Sequence, residues 1–311
     1  MKALITGISG LAGGYLADRL VGKGFEVFGL DRAPLSEDRD SVVFHECDVT
    51  DERKVSRVID EVRPDFIVHL ASIGLTENQR RVPEKIYAIN VLGTLNVFEA
   101  VIKAEIDCRI LVTGSSAAYG FTPEGENPIK ESNLLRPINH YGTSKAAQDM
   151  LGYQYWKGFD LKVIRTRTFN NTAPGESPGL VCSGFAKQIA EMEKGLKEPV
   201  VRVGNLSAVR DFTDTRDVIE GYYLLLKEGT PGEVYNVCSG KGTSVEEVLR
   251  ILGELSTTDF EIRQAEERLR AIDIPVQVGD PSKMRELTGW RPKIELKDTL
   301  SDVLDCWRAR V

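Results

Sequence analysis

The sequence has few features of metal centres or disulfide frameworks. Its five cysteines are odd in number and widely scattered, and no two of them show CxxC spacing. This pattern argues against a zinc site and against structural disulfides, as in proteins of a reducing cytoplasm. Cys47 and Cys238 lie in apolar stretches and are expected to be small buried side chains. We expect no metal site.

Long apolar runs and an excess of positive charge are also missing. No stretch approaches the roughly 20 apolar residues that span a bilayer. The apolar run at Met1–Ile5 stops at Thr6-Gly7, which is too short for a secretory signal. The formal net charge is −7 and no basic stripe occurs, which argues against a nucleic-acid surface. The sequence therefore predicts a cytoplasmic globular protein with neither a membrane nor a nucleic acid as partner.

The first half of the sequence alternates short apolar runs with amphipathic stretches. This alternation predicts βαβ units, and hence a Rossmann-type, doubly wound parallel sheet of the α/β class. Strands are predicted at Lys2–Thr6, Glu26–Asp31, Phe66–Leu70, Arg109–Thr113 and Leu161–Arg165, and helices at Leu11–Lys23, Lys54–Val62, Ile86–Ala104 and Tyr141–Lys157.

The sequence changes in character after Asn170. Residues Asn171–Gly184 are rich in Gly, Pro, Ser and Thr, and are predicted to form a loop or lid. Further helices are predicted at Phe185–Lys194, Asp217–Leu226, Val245–Leu255 and Leu296–Arg310, and strands at Val200–Val203 and Val234–Val237. We expect a dinucleotide-binding domain at 1–170, to which 208–237 return, and a smaller C-terminal α/β substrate domain at 171–207 and 238–311.

A glycine-rich turn directly follows the first predicted strand. Gly7, Gly10 and Gly13 form a GxxGxxG pattern that opens the first helix and includes Leu11 and Ala12. Glycines at this junction permit a tight turn, and the free N–H groups at the helix start receive a pyrophosphate. The position predicts a dinucleotide site.

The end of the second predicted strand bears on the choice of dinucleotide. A carboxylate such as Asp31 accepts hydrogen bonds from the adenosine ribose and repels a 2′-phosphate, which favours NAD(H). Arg32 follows directly and suits adenine or a 2′-phosphate, so NADP(H) remains possible. An adenine contact is expected at Asp48 and Val49.

A YxxxK pair, Tyr141 and Lys145, lies on one face of a predicted helix. The pKa of free tyrosine is about 10, and a neighbouring ammonium together with an oxidised nicotinamide would favour the phenolate. Such a tyrosine exchanges a proton with a carbinol or carbonyl oxygen while hydride moves to or from the cofactor. Ser115, at the end of the strand that contains Thr113, supplies a hydroxyl that orients the substrate oxygen.

These motifs and several others occur in the order seen in a known family. The glycine turn, His69-Leu70-Ala71, Asn90–Thr94, Gly114-Ser115-Ser116 and YxxxK resemble the extended short-chain dehydrogenases/reductases that act on nucleotide sugars, over essentially the whole chain. The resemblance implies further cofactor contacts at Leu70, Ala71, Ser72, Asn90, Thr113, Tyr141 and Lys145. It implies substrate contacts at Ser116, Ala117, Asn170, Lys187, Arg210, Arg270 and Asp273.

The resemblance gives some of these residues a specific role. Asn170 and Arg210 match residues that hold the diphosphate of the nucleotide sugar, and an Arg side chain donates two parallel hydrogen bonds to such a group. Arg270 and Asp273 match a pair that contacts the nucleotide ribose. The chain departs from the family pattern at Ser72, which replaces an alanine.

The residues before Tyr119 bear on the reaction. In the 4,6-dehydratases that the chain resembles, a glutamate two residues before this tyrosine eliminates water, whereas the chain has Ala117 and Ala118. Alanine cannot transfer a proton, so a dehydratase is disfavoured. The later segments are most similar to reductases that convert GDP-4-keto-6-deoxy-D-mannose to GDP-D-rhamnose. A 4-epimerase with tightly bound NAD is the alternative, and a non-catalytic NAD(P)-sensing regulator is less favoured because Tyr141 and Lys145 are both present.

The resemblance also implies a homodimer. Two predicted helices with apolar faces, Ile86–Ala104 and Tyr141–Lys157, would form a four-helix contact with the same helices of a second copy. Periodicity alone does not separate such a face from one buried within the subunit.

Overall fold

A computed structural model describes residues 1–35, 39–74, 82–268 and 273–311. Its strands are β1 Lys2–Thr6, β2 Glu26–Asp31, β3 Val42–Glu46, β4 Phe66–His69, β5 Arg109–Ser115, β6 Lys162–Thr168, β7 Asn170–Thr172, β8 Val200–Val203, β9 Val209–Asp214, β10 Val234–Val237, β11 Gly242–Ser244, β12 Glu261–Gln264 and β13 Val276–Gln277. Its α-helices are α1 Leu11–Val21, α2 Glu52–Val62, α3 Pro83–Tyr87, α4 Gly93–Lys103, α5 His140–Phe159, α6 Val181–Glu193, α7 Thr215–Glu228, α8 Val245–Leu255, α9 Ser282–Thr288 and α10 Leu296–Arg308.

The larger sheet has seven strands in the order β3-β2-β1-β4-β5-β6-β10, and every neighbouring pair is parallel. Its central strands are covered on both faces, which explains why β1 and β4 are almost continuously apolar. The strand order reverses direction between β1 and β4, where ligands bind in open parallel sheets. The predicted Rossmann-type sheet is confirmed.

Helices pack on both faces of this sheet and enclose two apolar cores. On one face, α1 and α7 bury Leu16, Leu20 and Leu225 against the strands. On the other face, α2, α4 and α5 bury a second set that includes Ile59 and Phe98. The sheet is therefore fixed from both sides, and the loops at its carboxyl edge are left to form a site.

The remaining elements form smaller sheets and a third core. Strand β9 pairs with β7, β11 and β13, and β8 pairs with β12. Helices α6, α8 and α10 bury apolar side chains such as Ile189, Leu252 and Leu304. Strand β10 lies in the seven-stranded sheet, although residues on both sides of it belong to the smaller sheets. The division into two domains stays a prediction.

Two sequence-based predictions differ from the structure in detail. The predicted helix Ile86–Ala104 is divided into α3, a π-helical turn at Ala88–Leu92, and α4. Thr94 donates a hydrogen bond to the Asn90 carbonyl within this segment, and such side-chain bonds compete with regular helix hydrogen bonds. The predicted loop at Asn171–Gly184 contains most of β7 and the first turn of α6.

The helical stretch Pro83–Lys103 is long and apolar enough to cross a membrane by length and composition alone, and 44% of its most apolar window is buried in the fold. The expectation that no stretch approaches this limit is thus too strict. Helix α4, which forms half of this stretch, packs between α2 and α5. These contacts are those of a core helix in a globular fold.

Candidate active site

The turn between β1 and α1 is shaped by close approaches of the backbone. Gly7 has φ of +75°, which favours glycine, and a Cβ built on it would lie 2.6 Å from the Ala71 nitrogen. A Cβ on Gly13 would lie 2.5 Å from the Ile8 carbonyl oxygen. On Gly10, by contrast, the nearest such neighbour is the Gly7 carbonyl oxygen at 3.3 Å. A side chain at Gly7 or Gly13 would thus clash with the backbone, whereas Gly10 leaves the start of α1 open.

A cleft of about 360 Å³ lies at this turn and crosses the carboxyl ends of β1, β2 and β4. Many of the predicted cofactor residues line it, namely Gly7, Gly10, Leu11, Ala12, Asp31, Arg32, Asp48, Val49, Leu70, Ala71 and Ser72. Because α1 begins at the cleft, its first N–H groups and its dipole suit a pyrophosphate. The chain's own residues therefore fit a dinucleotide.

Asp31 lies at the end of β2 and shapes the rim of this cleft. One of its carboxylate oxygens accepts a hydrogen bond from the Ser9 nitrogen at 3.1 Å, and the other accepts one from the Ala33 nitrogen at 3.2 Å. The negative charge is thus fixed beside the glycine turn, whereas Arg32 is exposed. A fixed carboxylate at this position favours a ribose with a free 2′-hydroxyl.

Ser115 and Tyr141 meet next to the end of β5. Ser115 caps a short 3₁₀ turn, and its side chain accepts a hydrogen bond from the Ala117 nitrogen. Tyr141 lies in the first turn of α5, which begins because Asn139 accepts a hydrogen bond from the Gly142 nitrogen. The Lys145 ammonium lies 5.9 Å from the centre of the Tyr141 ring. The structure brings the predicted Ser, Tyr and Lys together.

The expected effect of Lys145 on Tyr141 is not found in the protein alone. Burial raises the pKa of Tyr141 above its ordinary value, and its hydrogen bond with Ser115 acts in the opposite direction. Burial also lowers the pKa of Lys145 to about 7, so this amine is only partly charged at neutral pH. Both groups are thus desolvated together, and the prediction that a charged lysine and an oxidised nicotinamide favour the phenolate stays a prediction for the cofactor-bound protein.

Four predicted cofactor residues, Asn90, Thr113, Tyr141 and Lys145, are not among the described residues that line the cleft. Asn90 and Thr113 make structural contacts instead. Asn90 donates to the Ile73 carbonyl at 3.1 Å and to Ser144 at 2.9 Å, and accepts from the Ile73 nitrogen at 2.8 Å. These bonds attach the loop after β4 to helix α5. Thr113 donates to the His69 carbonyl at 2.8 Å, and its own carbonyl accepts from Lys145.

Ser116 is held by a residue that sequence reasoning missed. Gln277 of β13 donates to the Ser116 carbonyl at 3.1 Å, and the Ser116 hydroxyl donates to the Gln277 side chain at 3.3 Å. The neighbouring Ala117 is partly exposed at the site, whereas Ala118 is buried. No motif marks Gln277, because only β-strand register places it beside the turn after β5.

The predicted diphosphate and ribose contacts lie close together. Arg210 of β9 donates to the Asp273 carboxylate at 2.9 Å, and Asn205 donates to the other oxygen of that carboxylate at 2.9 Å. Gln277 pairs with Arg210 in the register of β9 and β13. Arg270 lies outside the described residues. The structure thus places a guanidinium on the same strand pair that holds the turn after Ser115.

The other two predicted substrate residues have different surroundings. Asn170 is exposed and begins β7, where it pairs with Phe212 of β9. Lys187 on α6 lies 3.8 Å from Glu191 and 5.3 Å from the centre of the Trp307 ring. Lys187 therefore contacts α6 and α10 rather than the other predicted site residues.

The described residues contain no group of His, Cys, Asp or Glu side chains arranged to hold a metal ion.

Tyr119, the reference point for the missing glutamate, is buried and donates to Asn236 at 2.7 Å. Its hydroxyl is thus engaged in the core. Tyr141, in contrast, forms a hydrogen bond with Ser115.

Comparison with known proteins places this arrangement in a family. A family model described as GDP-mannose 4,6 dehydratase matches residues 4–303. The chain belongs to the GDP-mannose 4,6-dehydratase family. Its enzymes are of the extended short-chain dehydrogenase/reductase type, and the prediction of an NAD(P)-dependent enzyme of this type is confirmed.

Two similar proteins are oxidoreductases of GDP-6-deoxy sugars by name. GDP-6-deoxy-D-mannose reductase of Pseudomonas aeruginosa is 34% identical over 80% of this chain and 82% of that protein. GDP-6-deoxy-D-talose 4-dehydrogenase of Aggregatibacter actinomycetemcomitans is 31% identical over 93% of this chain and 92% of that protein.

Solved structures agree with this family membership. RMD from Pseudomonas aeruginosa, solved in complex with NADPH, has a TM-score of 0.88 and 30% identity, covering 100% of this chain and 99% of that one. UDP-glucose 4-epimerase of Thermus thermophilus, solved in complex with NAD, has a TM-score of 0.89 and 28% identity, covering 100% of both chains.

Proposed function

We propose that this member of the GDP-mannose 4,6-dehydratase family reduces the 4-keto group of a nucleotide-activated 4-keto-6-deoxy sugar with NAD(P)H. The best-supported substrate is GDP-4-keto-6-deoxy-D-mannose, which gives GDP-D-rhamnose. The observation that carries the proposal is the meeting of Ser115 and Tyr141 at the end of β5, with Ala117 in place of a second acid–base group. Keto reduction needs one proton donor, whereas elimination of water needs another.

The proposed mechanism follows from the protonation states at the site. Reduced nicotinamide supplies the hydride for the 4-keto carbon when the cofactor is bound. Tyr141 is protonated at neutral pH because burial raises its pKa, so it can donate its phenolic proton to the developing C4 oxyanion. Ser115 orients that oxygen by a hydrogen bond. Lys145, near the tyrosine ring, stabilises the phenolate that remains after the proton has moved.

Binding roles are assigned to the remaining residues from their positions. The cleft residues Gly10, Leu11 and Ala12 would hold the pyrophosphate at the start of α1. Arg210 would bind the diphosphate of the sugar nucleotide, with Asp273 orienting its guanidinium or the nucleotide ribose. Ser116 and Ala117 would contact the sugar, and Asn170 the diphosphate.

The experiment supplies enzymatically made GDP-4-keto-6-deoxy-D-mannose with NADH or NADPH and follows the nicotinamide absorbance. Stoichiometric oxidation of the cofactor, with formation of a GDP-6-deoxyhexose, supports the reductase. A failure to oxidise either cofactor would remove this assignment. GDP-mannose incubated with oxidised cofactor should give no 4-keto-6-deoxy product, since Ala117 cannot take part in elimination.

A 4-epimerase is the second candidate, and one structural neighbour is an epimerase by name. The same Ser115, Tyr141 and Lys145 would oxidise C4 and reduce it again, with NAD retained throughout. Interconversion of 4-hydroxyl epimers by protein purified with bound NAD, and with no net cofactor consumption, would select this alternative.

The preference for NAD(H) over NADP(H) is proposed from Asp31, whose carboxylate is fixed at the rim of the cleft. A 2′-phosphate brought to this carboxylate would meet like charge, although Arg32 lies next to it. The ratio of kcat/KM for NADH and NADPH tests the preference. Asp31→Asn should shift that ratio towards NADPH.

We also propose a cytoplasmic homodimer. Exposed apolar side chains occur on both predicted contact helices, namely Leu92 (52% exposed) on the first, and Met150 (64%) and Tyr153 (49%) on the second. A second copy would cover them, whereas a monomer leaves them in water. Small-angle scattering at micromolar concentration tests this directly, since a monomer mass would contradict it.

A further inference from the structure

Gln148 is buried one helical turn beyond Lys145 and accepts a hydrogen bond from it. The Lys145 ammonium donates to the Gln148 side-chain oxygen at 2.9 Å and to the Thr113 carbonyl at 2.9 Å. Because a lysine ammonium only donates, the amide oxygen of Gln148 faces Lys145, and its NH₂ group faces the other way. That NH₂ group donates to the Thr94 hydroxyl at 2.8 Å.

The direction of the next hydrogen bonds follows from Thr94. Its hydroxyl hydrogen is committed to the Asn90 carbonyl at 2.7 Å, so the Thr94 oxygen accepts from both Gln148 and His69. His69 therefore donates through Nε2, and its Nδ1 accepts from the Thr6 hydroxyl at 2.7 Å. Burial lowers the pKa of His69 to about 3, which agrees with this neutral ring.

The chain of hydrogen bonds ends at the cofactor cleft. The Ala71 nitrogen donates to the Thr6 oxygen at 3.2 Å, and Ala71 lines the cleft beside Gly7. The side chains of Thr6, His69, Thr94 and Gln148 are at most 1% exposed. Each polar group in such a buried set has a fixed partner, and moving one side chain would leave another unpaired.

We propose that Gln148 is a positioning residue for Lys145, and that it holds the lysine as part of a hydrogen-bond chain that runs from Lys145 to the floor of the dinucleotide cleft. The hydrogen bonds fix the position of the ammonium relative to the Tyr141 ring. They also supply an acceptor, the Gln148 oxygen, that favours the charged form of the amine. The catalytic part of this inference rests on the proposed reductase function, whereas the part that concerns the state of Lys145 does not.

Few other ionisable groups face Lys145. Among the described residues on the elements packed against it, Tyr141 shares its helix and His69 lies on β4, while β5 offers the Thr113 carbonyl. Asp149 follows on α5 but is paired with Arg165 and with Arg167 of β6. The Gln148 oxygen is therefore the side-chain acceptor that the structure gives to this amine.

Two substitutions at Gln148 should move the titration of Lys145 in opposite directions. Gln148→Glu places a carboxylate next to the amine and should raise its pKa by about one unit or more, whereas Gln148→Met removes the acceptor and should lower it. The midpoint is measured from the lysine ¹³Cε resonance, assigned with Lys145→Arg, in the intact protein without substrate. Gln154→Met, at an exposed position of the same helix, should leave the midpoint unchanged.

The same variants are then compared in the reductase assay. Because the ammonium stabilises the phenolate of Tyr141, kcat should fall as pH rises through the pKa of Lys145. This alkaline limb should move to higher pH in Gln148→Glu and to lower pH in Gln148→Met, with kcat of the latter reduced roughly 10- to 100-fold. The KM for the sugar nucleotide should change little. If the role of Gln148 were purely structural, kcat would fall in both variants, and the alkaline limb would not move in opposite directions.

The outcomes separate the inference from the function on which it rests. Unchanged or parallel midpoints in the two variants would overturn the role of Gln148, even if the wild-type protein reduces the keto-sugar. Opposite shifts in a protein without reductase activity would leave the role of Gln148 intact and remove the proposed reaction. Should Gln148→Glu fail to fold, Thr94→Val releases the Gln148 amide and must lower the Lys145 midpoint; an unchanged midpoint there would overturn the inference equally.

Discussion

Arg210 and Asp273 lie 63 residues apart in the chain and form an ion pair of 2.9 Å. The arginine side chain is only 11% exposed, so its charge is held in place rather than free to move in solvent. We expect Arg210→Gln to raise the KM for the sugar nucleotide roughly 10- to 100-fold, since a hydrogen bond to a charged group contributes about 1.5–3 kcal/mol. Cofactor affinity should not change.

Initial-rate kinetics with varied sugar nucleotide provide the measurement. Arg250→Gln is a suitable control, because Arg250 forms exposed ion pairs with Glu247 and Glu254 on α8. Equal KM values for wild type and Arg210→Gln would show that Arg210 does not bind the substrate.

Removal of one hydroxyl should stop the proton transfer while the fold is kept. Tyr141→Phe is expected to lower turnover roughly 10²- to 10⁴-fold, because the phenol is the proposed proton donor. Dissociation constants for NAD(P)H, measured by fluorescence, should match those of the wild type. Tyr153→Phe, on the exposed face of the same helix, should retain activity. Near-normal turnover of Tyr141→Phe would exclude this residue as the donor.

The glycine turn offers a pair of matched substitutions. A Cβ on Gly13 would lie 2.5 Å from the Ile8 carbonyl oxygen, so Gly13→Ala should reduce the free energy of unfolding. A Cβ on Gly10 meets only the Gly7 carbonyl oxygen, at 3.3 Å, and so Gly10→Ala should fold. It should nevertheless weaken NAD(P)H binding, because the methyl group enters the cleft. Denaturant unfolding and cofactor titration distinguish the two effects, and unimpaired binding by Gly10→Ala would place the pyrophosphate elsewhere.

A buried carboxyl group, Glu176, should make stability depend on pH. It accepts a hydrogen bond from Thr172 at 2.8 Å, and burial raises its pKa from 4.5 to about 7. The folded state therefore binds more protons than the unfolded state between these values, so its contribution is greatest below pH 4.5 and is lost as pH rises to about 7. The full difference corresponds to roughly 3–4 kcal/mol.

Glu176→Gln removes this dependence. The stability of the variant relative to that of the wild type should therefore be higher at pH 8 than at pH 5. Chemical unfolding at both pH values measures the difference. Glu198→Gln, at an exposed position, serves as the control. A Glu176→Gln effect that is equal at the two pH values would mean that the carboxyl titrates normally.

Local patterns predicted much of the fold. Strands β1, β2, β8 and β10 have the predicted bounds, because apolar residues in short runs between turns leave few alternatives. Strand β3, by contrast, lies at the edge of the sheet and is only half buried, so its apolar signal is weak. Strands β9, β11 and β13 depend on long-range pairing, which periodicity does not encode.

The site shows the same division between local and long-range information. The glycine turn and the YxxxK pair each depend on a few adjacent residues, and the cleft and the Ser115–Tyr141 contact lie where those motifs place them. Gln148 and Gln277 belong to no motif, and each is hydrogen-bonded to a residue distant in the chain, Thr94 and Ser116 respectively. The protonation of Lys145 follows from burial, which a sequence does not state. Reasoning from residue types alone therefore treated this lysine as a fully charged ammonium.

Transfer of a labelled hydride tests the central claim most directly. Incubation of the protein with GDP-4-keto-6-deoxy-D-mannose and nicotinamide cofactor deuterated at the transferring position should give a 6-deoxysugar with one deuterium at C4, in proportion to the cofactor oxidised. Tyr141→Phe should form this product far more slowly. A product without deuterium at C4, or no product from either NADH or NADPH, would contradict the account.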